Sequence, residues 1–203
     1  AKSCNAGTIT ASLITGDGIY RINLDSKSVN IGNLTGIKDL GNASLRLAAD
    51  NIQYDSTAKK GSVRLSAPFI EYKGYRYSGI GLNLDSDGKT YSLSLDIADR
   101  NATVNARVRH YPADESSAIS INVDNFDLAA TNIYPKDSIS EISGIITADI
   151  KGTGIDRMRG SISIDTLAYL NSNGRTDIGR TVLSVRDMSD GGIITSLDND
   201  IIN

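Results

Sequence analysis

Tyr91-Ser92-Leu93-Ser94-Leu95-Asp96-Ile97 and Ala102-Thr103-Val104-Asn105-Ala106-Arg107-Val108-Arg109 decide the fold of this chain. Aliphatic and polar residues alternate strictly through both runs. Successive side chains of a strand point to opposite faces, so each run presents one aliphatic and one wet face. The reversal Ala98-Asp99-Arg100-Asn101 joins them as a hairpin. The same alternation recurs at Val63 and Leu65, at Ile119, Ile121 and Val123, and at Ile162 and Ile164. One wet face per strand is the mark of an antiparallel sheet; a parallel sheet covered on both sides reads as continuous apolar runs.

Turn chemistry agrees with this reading. Asp85-Ser86-Asp87-Gly88 divides Leu82 and Leu84 from Tyr91 and Leu93, which predicts another hairpin. Gly16-Asp17-Gly18, Lys59-Lys60-Gly61, Lys151-Gly152-Thr153-Gly154 and Asn171-Ser172-Asn173-Gly174 are further breakers,. No segment holds a 3.6-residue apolar period over three turns. One short helix is a candidate within 124–134, where Phe126, Leu128, Ala129 and Ile133 could share a face before Pro135; an irregular loop fits that stretch equally well. Pro68, Pro112 and Pro135 are scattered and mark strand ends or bulges,. No shift of composition divides the chain, and Ile193-Ile194-Thr195 and Ile201-Ile202-Asn203 read as strand starts. Residues 1–203 therefore read as a single fragment of a longer, repetitive β-rich domain.

Composition removes several function classes. Among 203 residues, 21 Lys and Arg face 24 Asp and Glu, a net charge of −3, so there is no basic excess for nucleic acid. With one histidine, His110, and one cysteine, Cys4, a Cys/His zinc site and an internal disulfide are both out. No run nears the roughly 18 apolar residues of a membrane-spanning helix. Ala1-Lys2-Ser3-Cys4 carries no apolar run of a signal peptide or lipoprotein anchor,. The sequons at Asn33, Asn42 and Asn101 read as ordinary turn composition,.

Candidate chemistry fails on spacing. Gly152-Thr153-Gly154 is followed next by Gly160, so the dinucleotide-loop spacing is absent, as is a phosphate-loop Gly-Lys-Ser/Thr triplet. Asp85-x-Asp87-Gly88 opens like a calcium loop, but Gly88 comes too early and no distal glutamate completes it,. His110 ends a strand in phase with the aliphatic face, with no nucleophile assignable to it,. The acids fall mostly in turns and on wet faces, with no pair singled out for glycoside hydrolysis. Glu71-Tyr72-Lys73-Gly74-Tyr75-Arg76-Tyr77 could stack on bases or sugars,; in an acidic chain, cross-strand tyrosine pairing is the better reading. No catalytic residue, metal or cofactor is expected.

The remaining question is what covers the aliphatic face, since each exposed Leu, Ile or Val forgoes about 1.5–3 kcal/mol of burial. A sandwich, a closed barrel, or an open trough filled by something apolar would each solve it. Pattern alone favours a closed β-sandwich serving as an interaction or adhesion module without lipid. A β-helical enzyme would need a fixed repeat length, and turn spacing here varies.

Three stretches carry a family resemblance. Leu65-Ser66-Ala67-Pro68-Phe69-Ile70-Glu71-Tyr72-Lys73-Gly74-Tyr75-Arg76-Tyr77 continues through Gly79-Ile80-Gly81-Leu82-Asn83-Leu84 into the hairpin over residues 91–106. Ile121-Asn122-Val123-Asp124-Asn125-Phe126-Asp127-Leu128 precedes Ile139-Ser140-Glu141-Ile142-Ser143-Gly144. The third is Ala148-Asp149-Ile150-Lys151-Gly152-Thr153-Gly154-Ile155-Asp156-Arg157-Met158-Arg159-Gly160-Ser161-Ile162-Ser163-Ile164. Together they resemble the repetitive β region of TamB, the AsmA-like translocation-and-assembly-module family, in its Bacteroidota-type form. The resemblance implies an all-β, elongated, curved and mostly antiparallel sheet open as a trough, the β-taco. It implies a periplasmic bridge, its parent protein anchored in the inner membrane, that carries phospholipid toward the outer membrane or assists outer-membrane protein assembly. Phospholipid acyl chains and an outer-membrane barrel partner of the TamA type are the implied partners, and the family brings no catalytic residues. The residues expected to line the trough are Val63, Leu65, Leu82, Leu84, Tyr91, Leu93, Leu95, Ile97, Val104, Val108, Ile119, Ile121, Val123, Ile162 and Ile164.

Overall fold

The alternating runs become neighbouring strands of one sheet. The computed structural model describes residues 7–54, 59–152, 157–189 and 191–200. In chain order the elements are β1 (Thr8–Gly16), β2 (Ile19–Asn30), α1 (Ile31–Thr35), β3 (Leu40–Tyr54), β4 (Lys59–Tyr72), β5 (Tyr75–Asp87), β6 (Tyr91–Asp99), β7 (Ala102–Tyr111), β8 (Ser116–Asp127), β9 (Ser140–Lys151), β10 (Arg159–Asn171), β11 (Gly174–Ile178), β12 (Thr181–Asp187) and β13 (Ile193–Asn199). A single 3-10 turn at Pro112–Asp114 joins β7 to β8.

All thirteen strands belong to one sheet. Strands β1 to β10 follow one another in sequence order, then β12 and β13, with β11 paired to β10 beside the path. The pairings given for these strands are antiparallel. β1 and β13 stand at opposite ends of that order and do not pair, so the sheet is open. Among the described elements, strands pack substantially only on their hydrogen-bonded neighbours, and α1 packs on β3. The closed sandwich favoured by pattern alone is therefore corrected: from β1 to β10 each turn returns the chain to the adjacent strand, and all described strands join one sheet.

Antiparallel order places alternate turns on opposite margins, and the two margins differ. On one lie α1, the turn after Tyr72, the turn after Asp99, and residues 128–139 between β8 and β9. Main-chain bonds tie these pieces together: Lys73 N–H to the Asp39 carbonyl at 2.8 Å and Asp127 N–H to the Asn101 carbonyl at 2.9 Å. Buried residues gather here, with Ala43, Ala102, Thr131 and Ser140 all at 0% exposure. At the opposite margin, the Asp87 carboxylate organises the turn between β5 and β6 by accepting the Lys89 and Thr90 N–H groups, each at 2.8 Å. This is the aspartate that resembled a calcium ligand; its Oδ1 serves the turn.

The short helix stands elsewhere than expected. Asn30 caps α1 by accepting the Asn33 N–H at 2.8 Å, and Gly36 ends it at φ 75°. In 124–134, the residues to Asp127 extend β8, and the rest forms turns. The Asp127 carboxylate accepts the Ala129 and Ala130 N–H groups at 3.0 and 2.8 Å, which organises a turn locally in place of a helix. Pro68 lacks the N–H that a ladder needs. The pairing of β4 with β5 passes over it, from Ala67 with Ile80 to Phe69 with Ser78. Gly79, opposite Pro68, takes φ 60°, a conformation glycine reaches without steric cost.

Candidate functional site

Register converts sequence alternation into continuous rows across the sheet, because directly paired residues share a face. One row runs Leu13, Ile22, Ala49, Val63, Leu84, Leu93 over the first six strands. It continues Val108, Ile119, Ala148, Ile162, Leu183, Leu197 to the last strand. Every position is aliphatic, from β1 to β13. A second row through Leu65, Leu82, Leu95, Ala106, Ile121, Ile146 and Ile164 stays aliphatic until Thr181. A third, shorter row joins Ala67, Ile80, Ile97, Val104 and Val123. Strand spacing of about 4.8 Å gives this band a length of roughly 50 Å, and three rows give it a width of roughly 14 Å. The band is widest over β4–β8, where all three rows run together.

All fifteen residues expected on this face lie there together. They are mostly half-buried, with Leu84 at 36% exposure, and the end rows are more open, with Leu13 at 64% and Leu197 at 67%. The expected set left out Leu13, Ile22, Ala49, Ala67, Ile80, Ala106, Ile146, Ala148, Leu183 and Leu197, together with Leu24 and Leu47, which pair in line with Leu65. Ile22-Asn23-Leu24 and Leu45-Arg46-Leu47 carried a readable alternation; Ile145-Ile146 hid it, because two adjacent isoleucines face opposite ways.

The other face is wet. Asn83, Ser94, Arg107, Ser120, Thr147 and Ser163 form one of its rows. Arg107 pairs with Asp96 at 2.8 Å and Arg46 with Asp25 at 3.2 Å. Two hollows open mainly over this polar side. One of about 570 Å³ lies by Asn23, Asp25, Arg46 and Arg64, and one of about 310 Å³ by Asp85, Ser92, Arg107 and Arg109. The aliphatic band is thus a broad surface, defined by register, and no large cavity encloses it.

The packed margin holds a polar clasp. Asp99, 5% exposed, accepts hydrogen bonds from the Tyr75 hydroxyl, from the Ser78 N–H and hydroxyl at 2.9 and 2.7 Å, and from the Asn101 N–H at 3.0 Å. Burial alone would raise its pKa, but these donors outweigh it and hold the carboxyl below its ordinary value,. Burial also pushes the Tyr75 and Tyr77 phenols up, with the bond to Asp99 adding to the effect at Tyr75. The two rings meet edge-on at 4.8 Å, and the Tyr77 hydroxyl donates to the Thr131 carbonyl at 3.3 Å. Tyr72 and Tyr75 face each other across the hairpin, the cross-strand pairing that their sequence suggested. The Arg76 guanidinium, at 2.6 Å, and the Asn42 N–H lower the Glu71 pKa. These groups bind one another and hold the margin.

At the opposite margin His110 Nδ1 lies 2.9 Å from Ser117 Oγ, and its ring stands 6.4 Å from that of Tyr91. No group of three or more His, Cys, Asp or Glu side chains able to hold a metal occurs among the described residues. Cys4, Thr153 and Gly154 lie outside the described residues. No family model, curated protein or solved structure matches this chain.

Proposed function

We propose that this chain is a segment of a periplasmic lipid-carrying sheet resembling the TamB β-taco, in which the aliphatic band is the path for phospholipid acyl chains. The observation that supports this most is the twelve-position aliphatic row from Leu13 to Leu197, crossing the sheet without a polar break and, among the described residues, without a second layer over it. Exposing an acyl chain to water costs about 0.8 kcal/mol per CH₂, so a bare two-chain lipid does not cross an aqueous gap. A strip of near-equivalent Leu, Ile and Val positions replaces that barrier by many small steps. In this reading the protein is a conduit with no catalytic role. The parent protein is anchored in the inner membrane and meets an outer-membrane barrel partner of the TamA type.

The same sheet suits outer-membrane protein assembly as well. β1 carries no charged residue and all nine of its residues are exposed, so it lacks the usual guards against strand addition.

The lipid reading is tested by native mass spectrometry and solvent extraction of the purified protein. Co-purified phospholipid is expected in the wild type and its loss in Leu93→Asp and Val104→Asp, with far-UV circular dichroism unchanged. A folded wild-type protein that carries no lipid and takes up none from vesicles would overturn it.

A further inference from the structure

We propose that Tyr91, His110 and Ser117 form a subsite for the oxygen-bearing head of an acyl lipid, at the margin of the aliphatic band. The inference deepens the lipid-carrying reading and rests on it. Register places Ser86, Tyr91, His110 and Ser117 in one row. That row lies on the aliphatic side, one step beyond Leu84, Leu93, Val108 and Ile119, and turns apolar again at Ile150 on β9. The band therefore has a polar notch four strands wide.

Two polar groups in the notch are not used up by the protein. The Ser86 hydroxyl donates to the Lys59 carbonyl at 2.6 Å. His110 Nδ1 lies 2.9 Å from the Ser117 hydroxyl; in the tautomer in which that hydroxyl donates, the ring proton sits on Nε2. The Tyr91 hydroxyl and this Nε2–H then have no hydrogen-bond partner among the described residues, and both are half-buried. A hydroxyl and a ring N–H beside an aliphatic floor call for an acceptor attached to a hydrocarbon chain, such as the ester or phosphate oxygen of a glycerolipid. No lysine or arginine shares the row over these four strands, so the subsite reads oxygen acceptors and does not depend on a full negative charge.

The experiment measures binding of three probes to the intact chain by native mass spectrometry: hexadecane, a monoacylglycerol, and phosphatidylethanolamine. Wild type is compared with a Tyr91→Phe, His110→Leu, Ser117→Ala triple variant, its fold checked by circular dichroism. The variant is expected to bind the head-bearing probes about tenfold more weakly and hexadecane unchanged. Weakening of both head-bearing probes assigns the ester as the group recognised; weakening of phosphatidylethanolamine alone assigns the phosphate. Equal affinity of wild type and variant for all three probes would overturn the subsite while leaving the aliphatic path intact. Failure of wild type to bind any probe would overturn the lipid reading itself.

Discussion

Replacing Asp99 with Ala removes one acceptor from four donors at once: the Tyr75 hydroxyl, the Ser78 N–H and hydroxyl, and the Asn101 N–H. At 5% exposure, water does not readily replace the lost carboxylate. A hydrogen bond to a charged group contributes about 1.5–3 kcal/mol, and part of each loss is recovered by local relaxation. Taking roughly 1 kcal/mol per donor, Asp99→Ala costs about 4 kcal/mol, equivalent to about 10 °C in Tm for a chain of this size. The protein has nine tyrosines and no tryptophan, so tyrosine fluorescence during urea unfolding reports on the margin directly. The pH dependence gives a second arm. Because the folded carboxyl titrates below its unfolded value, its contribution is complete above pH of about 4 and is lost as pH falls through the folded pKa. The gap between wild type and Asp99→Ala should therefore narrow on acidification. A gap below about 1 kcal/mol at pH 7, or one that does not narrow as the pH falls, would refute the clasp.

Other substitutions separate an open face from a closed core. Leu84→Ser, at a position 36% exposed, is expected to cost only about 1 kcal/mol in urea unfolding. Ala102→Leu, at 0% exposure, should cost about 1–3 kcal/mol by overpacking; the reverse order would mean that the band is covered. Gly160 has φ 125°, and a Cβ there would run into the Asp149 carbonyl oxygen, so Gly160→Ala should cost about 2 kcal/mol, read as a lowered urea midpoint. Arg175 and Asp177 pair at 2.8 Å while 61% and 63% exposed. Arg175→Ala should therefore leave the thermal midpoint unchanged.

The strands of the middle of the chain were legible because period-2 alternation there is undisturbed. From β4 to β8, and again at Ile162 and Ile164 of β10, the aliphatic side could be read from alternation, and register brings those fifteen positions onto one face. The sequence could not say whether that side was covered: a sandwich and a single sheet share the alternation, and only the return of each turn to the next strand distinguishes them. The helix candidate at 124–134 went astray because Phe126, Leu128 and Ile133 suggested a helical face, while the Asp127 side chain and carbonyl stabilise turns. The Asp99 clasp was invisible for a different reason. Its partners lie 21 and 24 residues away in Ser78 and Tyr75, joined only once β5 and β6 pair. The polar notch had one visible sign, His110 in phase with aliphatic neighbours, but its closeness to Ser117 depends on the turn after Tyr111.

The most direct test uses neighbouring residues on opposite faces of the same strand. A photo-crosslinking amino acid is placed at Leu93 and Val108 on the aliphatic side, and at Ser94 and Arg107 on the wet side, and the products formed in cells are identified by mass spectrometry. Phospholipid adducts are expected at Leu93 and Val108 and not at Ser94 or Arg107. Adducts confined to the wet side, or protein adducts in place of lipid at Leu93 and Val108, would contradict an aliphatic face left open for acyl chains.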